Sequence, residues 1–273
     1  MAVAEKRTEF AKLHTGPGAF LLPNPWDKGS ASLLEYLGFQ ALATTSAGYA
    51  FSAGSCDGSV AREAMIEHLA QIAASTALPV NADLENGYGR SPEEVFKTYR
   101  MADEAGVAGA SIEDASGIPE APIFALPLAL DRLRAAVEAK RSSVSPMILT
   151  ARCENHLHGI GDLSDTISRL QAYQEAGADV LYAPGLTRLE DIATVVRNLD
   201  RPVNVLASAN MKKSELEALG VKRISVGSAL SRAAYGALLG AAREMIDQGT
   251  FGFVSEAISF SELTSIFSRD RSQ

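Results

Sequence analysis

Short apolar segments alternate with longer helix-like segments along almost the whole chain. The apolar segments are mostly four or five residues long and apolar on both faces, which is typical of strands buried in a parallel sheet. Units of one strand and one helix recur at roughly 25–40 residues, which favours a closed (β/α)8 barrel over an open doubly wound sheet. The eight predicted strands cover residues 19–22, 41–44, 78–82, 109–112, 147–151, 180–183, 203–206 and 224–226.

The helix-like segments point to the same fold class. Several end on a glycine that an apolar residue follows, as helix C-caps leading into a strand do; these glycines are Gly38, Gly106, Gly177 and Gly220. No G-x-G-x-x-G follows the first strand, so the signature of a dinucleotide-binding fold is missing. We therefore predict an α/β protein of the (β/α)8 TIM-barrel class.

The length of 273 residues suits a single barrel domain over residues 1–273, and no change of composition marks a boundary. Residues 250–273 are predicted to be a C-terminal helical extension, with one amphipathic helix from about Ser255 to Phe267. This helix follows the eighth unit and has no barrel strand to return to. We expect it to pack on a neighbouring subunit.

Composition narrows the classes of partner. The net charge is −8 with no basic stripe, so we do not expect nucleic acid as a partner. No segment reaches the roughly 20 apolar residues of a membrane span, and residues 1–14 indicate a short helix and not a signal peptide. The two cysteines form no C-x-x-C pair, which fits a reducing, cytoplasmic location. An acidic surface still permits an anionic substrate, because a buried metal and one arginine can reverse the local field.

Two carboxylates follow the third predicted strand. Asp83 and Glu85 are spaced i, i+2, and on an extended backbone such residues point the same way. Like charges that lie side by side repel unless a cation is between them. A hard divalent metal with oxygen ligands is one explanation, and a solvated acidic loop is the other.

Other strand ends also carry polar groups. Small residues after strand two, from Thr44 to Tyr49, leave backbone N–H groups free to hold an anion. Strand four leads to Glu113 and Asp114, which could also form a helix cap or a solvated turn. Arg152, after strand five, offers a planar fork for a carboxylate or phosphonate, or could simply pair with Glu154.

Because a barrel of this kind carries its chemistry at the carboxyl ends of its strands, these groups are expected to meet there. Asp57 lies in the loop after strand two and could be an ordinary turn residue. Taken together, acids beside an arginine suit a metal-bound anionic substrate. Magnesium usually keeps waters and takes only a few protein carboxylates.

These motifs resemble those of the isocitrate lyase/phosphoenolpyruvate mutase superfamily, and the resemblance covers nearly the whole chain. The segments that carry it are Asn24-Pro25-Trp26-Asp27-Lys28-Gly29-Ser30-Ala31, Thr44-Thr45-Ser46-Ala47-Gly48, Ala82-Asp83-Leu84-Glu85-Asn86-Gly87-Tyr88-Gly89, Gly106-Val107-Ala108-Gly109-Ala110-Ser111-Ile112-Glu113-Asp114 and Thr150-Ala151-Arg152-Cys153-Glu154-Asn155.

The resemblance implies a homo-oligomeric barrel, a dimer or more usually a tetramer, with the last helix exchanged between neighbouring subunits. It implies a small anionic 2-oxo acid or carboxylate as substrate. It implies Mg²⁺ (or Mn²⁺) held largely through waters by Asp57, Asp83, Glu85 and Glu113. It implies that the N–H groups of Ser46, Ala47 and Gly48 hold the substrate carboxylate or enolate oxygen, and that Arg152 binds a second anionic group. Tyr49, which follows Gly48, and Glu154, in the last of these motifs, are further candidate substrate-binding residues.

The chain departs from the superfamily in one segment. The lyases carry a K-K-C-G-H-type motif in a lid after the strand-four acids, and the mutases carry a lysine and an asparagine there. Here residues 115–124 contain no cysteine, lysine or histidine, and Glu120 is their one ionisable side chain. Glu120 is therefore a candidate proton carrier, beside Arg152 and Asp57 as candidate catalytic residues. Cys153 is interpreted as a core residue.

The leading hypothesis is a Mg²⁺-dependent lyase that cleaves a C–C bond of a small 2-oxo acid or 2-hydroxy di- or tricarboxylate through a pyruvate-type enolate. Decarboxylation of an oxaloacetate-like acid needs no lid cysteine, which favours that activity. The alternatives are an enzyme that acts on phosphonopyruvate, as a mutase or a hydrolase, and a non-catalytic barrel that binds 2-oxo acids.

Overall fold

The computed structural model describes residues 1–268, in which eight strands form one parallel sheet. The order around the sheet is β1-β8-β7-β6-β5-β4-β3-β2, so seven neighbouring pairs close most of a barrel. This confirms the predicted (β/α)8 class. The strands are β1 Phe20–Leu22, β2 Leu42–Ala43, β3 Val80–Asp83, β4 Gly109–Glu113, β5 Ile148–Arg152, β6 Val180–Tyr182, β7 Val203–Leu206 and β8 Arg223–Ser225.

The remaining seam lies between β1 and β2 and is joined just beyond the strands. The N–H of Ala43 donates to the carbonyl of Pro23 at 3.0 Å. The side chain of Asn24 donates to the carbonyl of Thr44 at 3.0 Å and accepts from the N–H groups of Val226 and Gly227, each at 2.9 Å. Asn24 therefore ties the ends of β1, β2 and β8 together, which completes the circle of the barrel.

Helices connect successive strands, and the predicted helices are present. All four glycines predicted to end helices have φ between 82° and 111°, the left-handed region that helix C-caps use. Over residues 1–268, no helix is both long and apolar enough to cross a membrane. The helices are α1 Val3–Thr15, α2 Lys28–Tyr36, α3 Ser46–Ser52, α4 Arg62–Ala74, α5 Pro92–Glu104, α6 Leu126–Arg141, α7 Asn155–His158, α8 Leu163–Ala176, α9 Leu189–Arg197, α10 Lys213–Ala218, α11 Ala229–Gln248 and α12 Phe260–Phe267.

The prediction that the strands are apolar on both faces is wrong for their inner face. Asn81, Thr150, Asn204 and Arg223 are all buried, on four different strands. The outer faces pack against the helices and are apolar, whereas polar groups on the inner face can hydrogen-bond one another, which offsets the cost of burying them. Asn204, for example, donates to the hydroxyl of Ser225 at 3.0 Å.

The amino end of the barrel is covered by α1. Phe10 is fully buried, and its ring meets the ring of Phe20 edge to face, with the centroids 6.3 Å apart. His14, on the same helix, also packs against Phe20, with the two ring centroids 5.0 Å apart. Lys6 anchors the helix, since its ammonium group donates to the carbonyls of Ala73 and Thr76 at 2.9 and 2.6 Å. Access to the barrel interior is therefore from the carboxyl ends of the strands.

The C-terminal part differs in detail from the single helix that was predicted. A 3₁₀ turn, Gly252–Ser255, precedes α12, which begins only at Phe260. The helix α12 lies against α2 of its own chain, with Phe267 close to Gly29. Its exchange between subunits stays a prediction, and residues 269–273 of the predicted extension lie outside the described part of the chain.

Large apolar side chains cover much of the C-terminal surface. Ile246 is 83% exposed and Phe260 is 87% exposed, and Leu238, Leu239, Phe251 and Val254 are more than half exposed. Large exposed apolar side chains concentrated in one part of the chain indicate an interaction site. We predict that the full chain self-associates through it. Light scattering after gel filtration should give a multimer for the natural chain and a lower mass for Phe260→Asp with Ile246→Asp. The exposed Val144→Asp is the control, and an unchanged mass in the double variant would contradict the prediction.

Candidate active site at the carboxyl ends of the strands

Three charged residues end three neighbouring strands. Asp83 is the last residue of β3, Glu113 of β4 and Arg152 of β5. Each predicted strand stopped one residue short of its real end, so these residues belong to the sheet and not to the loops. Glu113 and Arg152 are direct partners across β4 and β5. The parallel register therefore brings them together, as the sequence predicted.

Arg152 lies at the centre of a group of carboxylates. Its Nη1 is 3.0 Å from Glu113 Oε2 and 3.7 Å from Asp83 Oδ1, and its Nε donates to Glu154. The guanidinium carbon lies 5.5 Å from the ring centroid of Tyr182. Arg152 therefore pairs with Glu154 and also lies in the site with the other predicted acids. The positive charge of Arg152 is already balanced by the acids around it.

The segment after β2 begins a short helix, α3, where a loop had been predicted. The N–H of Ser46 donates to Asp83 Oδ2 at 3.1 Å, and the N–H of Gly48 donates to the side chain of Thr45 at 3.2 Å. The hydroxyl of Ser46 lies 3.0 Å from Asp83 Oδ2 and 3.3 Å from Asp57 Oδ1. Two of the three N–H groups expected to bind an anion therefore already donate within the chain.

Gly48 and Tyr49, two other predicted binding residues, belong to the same segment and pack against residues behind it. A Cβ added to Gly48 would come within 2.5 Å of the Thr45 methyl group and 3.1 Å of Trp26 Cβ, so only glycine allows this close packing. The ring of Tyr49 stacks on His68, with centroids 3.8 Å apart. Neither residue lines the cavities described below, so both contact the site through their neighbours.

Glu85 reaches the site by a different route from the one predicted. It has φ +47° and Tyr88 has φ +57°, so the backbone has left the extended conformation before Glu85. Asp83 and Glu85 therefore do not project side by side from one strand, so the prediction from their i, i+2 spacing is wrong, although the two acids remain close enough to affect each other. Left-handed φ at two non-glycine residues is a strained arrangement that surrounding contacts must hold.

Those contacts come from two buried side chains. Arg132 donates to the carbonyls of Asn86 and Gly89, and the hydroxyl of Thr98 donates to the carbonyl of Gly87 at 2.7 Å. Within the loop, the hydroxyl of Tyr88 donates to Glu85 Oε1 at 3.0 Å. The strained loop is thus fixed at its backbone, and the carboxylate of Glu85 is held in place.

Two adjoining cavities open at this end of the barrel. The inner cavity, of about 170 Å³, is lined by Ser46, Ala47, Asp57, Asp83, Arg152 and residues deeper in the barrel. The outer cavity, of about 590 Å³, adds Glu85, Glu113 and Glu154 to Ser46, Asp57 and Arg152. Nearly all the predicted acids and the arginine therefore line one continuous opening.

Glu120 lies away from that opening. Residues 115–124 form a small loop closed by a bridge between Ala115 and Ile123, and Glu120 is exposed at its turn. It lines neither cavity. The position of Glu120 therefore lends no support to its predicted role as a proton carrier. Cys153 is fully buried, as interpreted.

Burial and mutual repulsion make these acids hard to ionise. Burial, then the charge of Asp83, raises the pKa of Glu85 to about 7. The same two causes in the same order raise the pKa of Asp57, and burial raises the pKa of Glu113 and of Glu154 despite the nearby Arg152. Such a group of carboxylates would be stabilised by an added cation.

The residues fit a hydrated dication. Asp83 Oδ1 is buried and accepts no hydrogen bond from any residue in the described part of the chain. Over the same residues, no three histidine, cysteine, aspartate or glutamate side chains converge closely enough to bind a metal directly. Magnesium commonly keeps several waters and uses one or two carboxylates, so a site with one available oxygen and more distant acids suits it.

The raised pKa of Glu85 gives a test of stability against pH. A carboxyl whose pKa is higher in the folded protein contributes stability that is complete below its unfolded value and is lost as the pH rises through its folded value. For Glu85 this interval runs from about 4.5 to about 7. Glu85→Gln should therefore gain stability relative to the natural chain as the pH rises from 5 to 8.

The measurement is urea unfolding of both proteins, with a chelator present, at several pH values. The quantity to compare is the difference in unfolding free energy between the two proteins, because His14 and His68 also titrate on unfolding and do so in both. Burial lowers the pKa of these histidines to about 3 and about 4. A difference in unfolding free energy that does not change with pH would show that folding does not raise the pKa of Glu85.

Asp114 was predicted only as a polar group at a strand end, and several polar residues of the inner cavity were missed. Asp114 is buried and accepts from the N–H of Glu154 at 2.8 Å and from the hydroxyl of Tyr173 at 2.6 Å, so it positions the segment after β5. Asn204, Arg223 and Ser225 line the inner cavity. The available signal was the pair of polar residues at alternate positions of β8, Arg223 and Ser225, since alternate residues of a strand share a face.

Comparison with known proteins agrees with this geometry. The sequence matches the family model for phosphoenolpyruvate phosphomutase over residues 10–246. A solved structure of a protein of Burkholderia cenocepacia J2315, described as a lyase/mutase, is 53% identical with a TM-score of 0.95, and the match covers 98% of this chain and 97% of that one.

Two more distant relatives have more specific names. An oxaloacetate decarboxylase of Chromohalobacter salexigens is 28% identical over 254 residues, which is 88% of this chain and 85% of the relative. The structure of an oxaloacetate acetylhydrolase with its product oxalate is 27% identical with a TM-score of 0.87, covering 96% of this chain and 94% of that one. The chain therefore belongs to the phosphoenolpyruvate phosphomutase family and is an enzyme of the phosphoenolpyruvate mutase/isocitrate lyase superfamily.

Proposed function

We propose that the protein is a divalent-metal-dependent lyase that cleaves a carbon–carbon bond of a small 2-oxo acid, with oxaloacetate-type decarboxylation as the favoured reaction. One observation carries the proposal. Carboxylates from neighbouring strand ends surround Arg152 at the mouth of a cavity, and one buried oxygen of Asp83 has no hydrogen-bond donor. This arrangement suits a reaction in which negative charge develops on a ketone oxygen.

The relatives support the choice of substrate class. Both the oxaloacetate decarboxylase and the oxaloacetate acetylhydrolase are named for the same C4 2-oxo acid. In addition, residues 115–124 offer no cysteine, lysine or histidine to transfer a proton. Loss of CO₂ from a 3-carboxyl group requires no such residue for bond cleavage, which favours decarboxylation.

A divalent cation would be held by Asp83, with Asp57, Glu85 and Glu113 binding it through water. Such a cation supplies positive charge next to the 2-oxo group, where an enolate oxygen would otherwise carry unbalanced negative charge. The chain itself prepares the position of the acids. Ser46 fixes Asp83 with two hydrogen bonds, and Tyr88 fixes Glu85 with one.

The other residues of the site would bind and orient the acid. Ala47 lines the inner cavity at the start of α3, where backbone N–H groups favour a carboxylate. Arg152 is held in one orientation by Glu113 and Glu154. Its planar group would lie against the substrate and could donate to it without moving.

The test is a product analysis with oxaloacetate and Mg²⁺. Decarboxylation yields pyruvate, which lactate dehydrogenase and NADH detect, whereas hydrolytic cleavage yields acetate and oxalate, which NMR distinguishes. Because Mg²⁺ alone decarboxylates oxaloacetate slowly, the reference is the same mixture with heat-inactivated protein. We expect pyruvate well above that reference. If none forms, but oxalate and Mg²⁺ together raise the melting temperature, the protein is a binding barrel and the proposed lyase activity is wrong.

A further inference from the structure

A second arginine lies deeper in the same barrel. Arg223 is the first residue of β8 and lines the inner cavity from the amino-end side. It is 2% exposed. Its Nε donates to Asn204 Oδ1 at 2.9 Å, and its Nη2 crosses the barrel to donate to Thr150 Oγ1 at 3.0 Å. The guanidinium group is therefore held across the interior, below the acids of the mouth.

This guanidinium lacks a negative partner. Within residues 1–268 no carboxylate forms an ion pair with Arg223, and Nη1 donates no hydrogen bond. Its nearest titratable neighbours give no negative charge: Tyr182 has a raised pKa, and burial followed by the charge of Arg223 lowers the pKa of His14 to about 3. Burial lowers the pKa of Arg223 to about 10, so it stays charged at neutral pH.

The two arginines of the cavity thus differ in charge balance. Arg152 is surrounded by Asp83, Glu113 and Glu154, whereas Arg223 hydrogen-bonds, among the described residues, to neutral side chains alone. An unpaired buried charge is costly, and an arriving anion would remove that cost. A second carboxylate of a ligand gains more beside Arg223 than beside Arg152.

We propose that Arg223 is a specificity-determining residue, whose free Nη1 binds the distal carboxylate of a 2-oxo dicarboxylate that enters the barrel. The 2-oxo end of the ligand lies at the acids of the mouth, and the chain of the ligand extends inward. The inner cavity therefore selects dicarboxylates over 2-oxo monocarboxylates of equal length. This inference rests on the proposed function only in taking the ligand to be a 2-oxo acid.

The first experiment measures binding and needs no turnover. Calorimetry in Mg²⁺ compares matched pairs of acids that differ only in the distal group: 3,3-difluoro-oxaloacetate against 3,3-difluoro-2-oxobutyrate, 2-oxoglutarate against 2-oxopentanoate, and 2-oxoadipate against 2-oxohexanoate. In the natural chain at least one dicarboxylate should bind about tenfold more tightly than its partner, as a charge-assisted hydrogen bond in a buried site provides.

Variants then assign that preference. Arg223→Met should abolish it while leaving the affinity for the monocarboxylates within about twofold, and Arg223→Lys should keep part of it. Arg7→Met is the matched control, since Arg7 is a buried arginine that pairs with Asp103 outside the cavity. No preference in the natural chain, or a preference that survives Arg223→Met, overturns the proposal.

The second experiment uses the unaltered protein, in case the variants do not fold. A crystal structure with 2-oxoglutarate and Mg²⁺ should show the distal carboxylate within hydrogen-bonding distance of Arg223 Nη1, about 3 Å. A ligand that points toward the outer cavity, or a distal carboxylate that does not contact Arg223 Nη1, overturns the proposal. If oxaloacetate is not converted but the dicarboxylate preference depends on Arg223, this inference stands and the proposed reaction is wrong.

Discussion

Replacing Asp83 by asparagine should lower kcat/KM for oxaloacetate by about 10²–10³-fold, the usual loss when a preorganised electrostatic contact is removed from an active site. The change keeps the size of the side chain. The one side-chain oxygen of asparagine can take the place of Asp83 Oδ2 and accept the hydrogen bonds from the N–H and hydroxyl groups of Ser46. What disappears is the negative charge at Asp83 Oδ1, a buried oxygen that has no donor in the described part of the chain.

The same variant should lose the ability to be stabilised by metal. In the natural chain, Mg²⁺ or Mn²⁺ should raise the melting temperature, because an ion that binds only the folded state shifts the equilibrium toward it. In Asp83→Asn, this shift should fall to within the error of the measurement. Repulsion between Asp83 and its neighbours also disappears, so the metal-free variant should be no less stable than the natural chain.

The matched control is Asp131→Asn, which makes the same chemical change at an exposed acid of α6 that pairs with Arg134 at 2.9 Å. Its turnover and its metal-dependent stabilisation should equal those of the natural chain. If Asp83→Asn retains a full metal-dependent shift, the assignment of the metal to this site is wrong, whatever happens to turnover.

Replacing Arg152 by methionine should destabilise the protein at pH 8 by about 3–5 kcal/mol, because breaking a buried ion pair leaves uncompensated charge in the interior. Glu113 and Glu154 would both lose their nearest cation. The pKa of each is already raised by burial, and removing Arg152 raises it further. These acids can escape the penalty only by taking up protons.

The destabilisation should therefore shrink as the pH falls. Carboxyls with raised folded-state pKa values recover stability below those values, so urea unfolding at pH 5.5 should show a smaller loss than at pH 8. Arg132→Met is the comparison, since Arg132 is a buried arginine whose hydrogen bonds go to the carbonyls of Asn86 and Gly89. The stability lost in Arg132→Met should change little with pH. Equal pH dependence in the two variants would mean that Arg152 does not neutralise the acids.

Elements and their boundaries were largely accessible from the sequence. Alternating apolar segments and glycine C-caps are local signals, set by the repeat of a strand or a helix and by backbone preferences at single residues. The positions of Asp83, Glu113 and Arg152 followed from them, because residues at the ends of parallel strands meet at one end of a barrel. The family resemblance then added the metal and the substrate class.

Other features depend on residues far apart in the chain. The left-handed backbone at Glu85 is held by Arg132, and the N–H of Ser46 in α3 donates to Asp83 on β3. The hydrogen bond from Arg223 to Thr150 joins residues 73 positions apart. No local pattern specifies such contacts.

The sequence by itself thus determined the barrel and the acids and arginine at its open end, because strand and helix periodicity act over a few residues. Only the tertiary structure decided that Arg152 is neutralised, that Glu85 leaves the strand and that Arg223 lies unpaired inside the barrel. These depend on which inward-facing side chains meet across the barrel, and that is set by the register of all eight strands together.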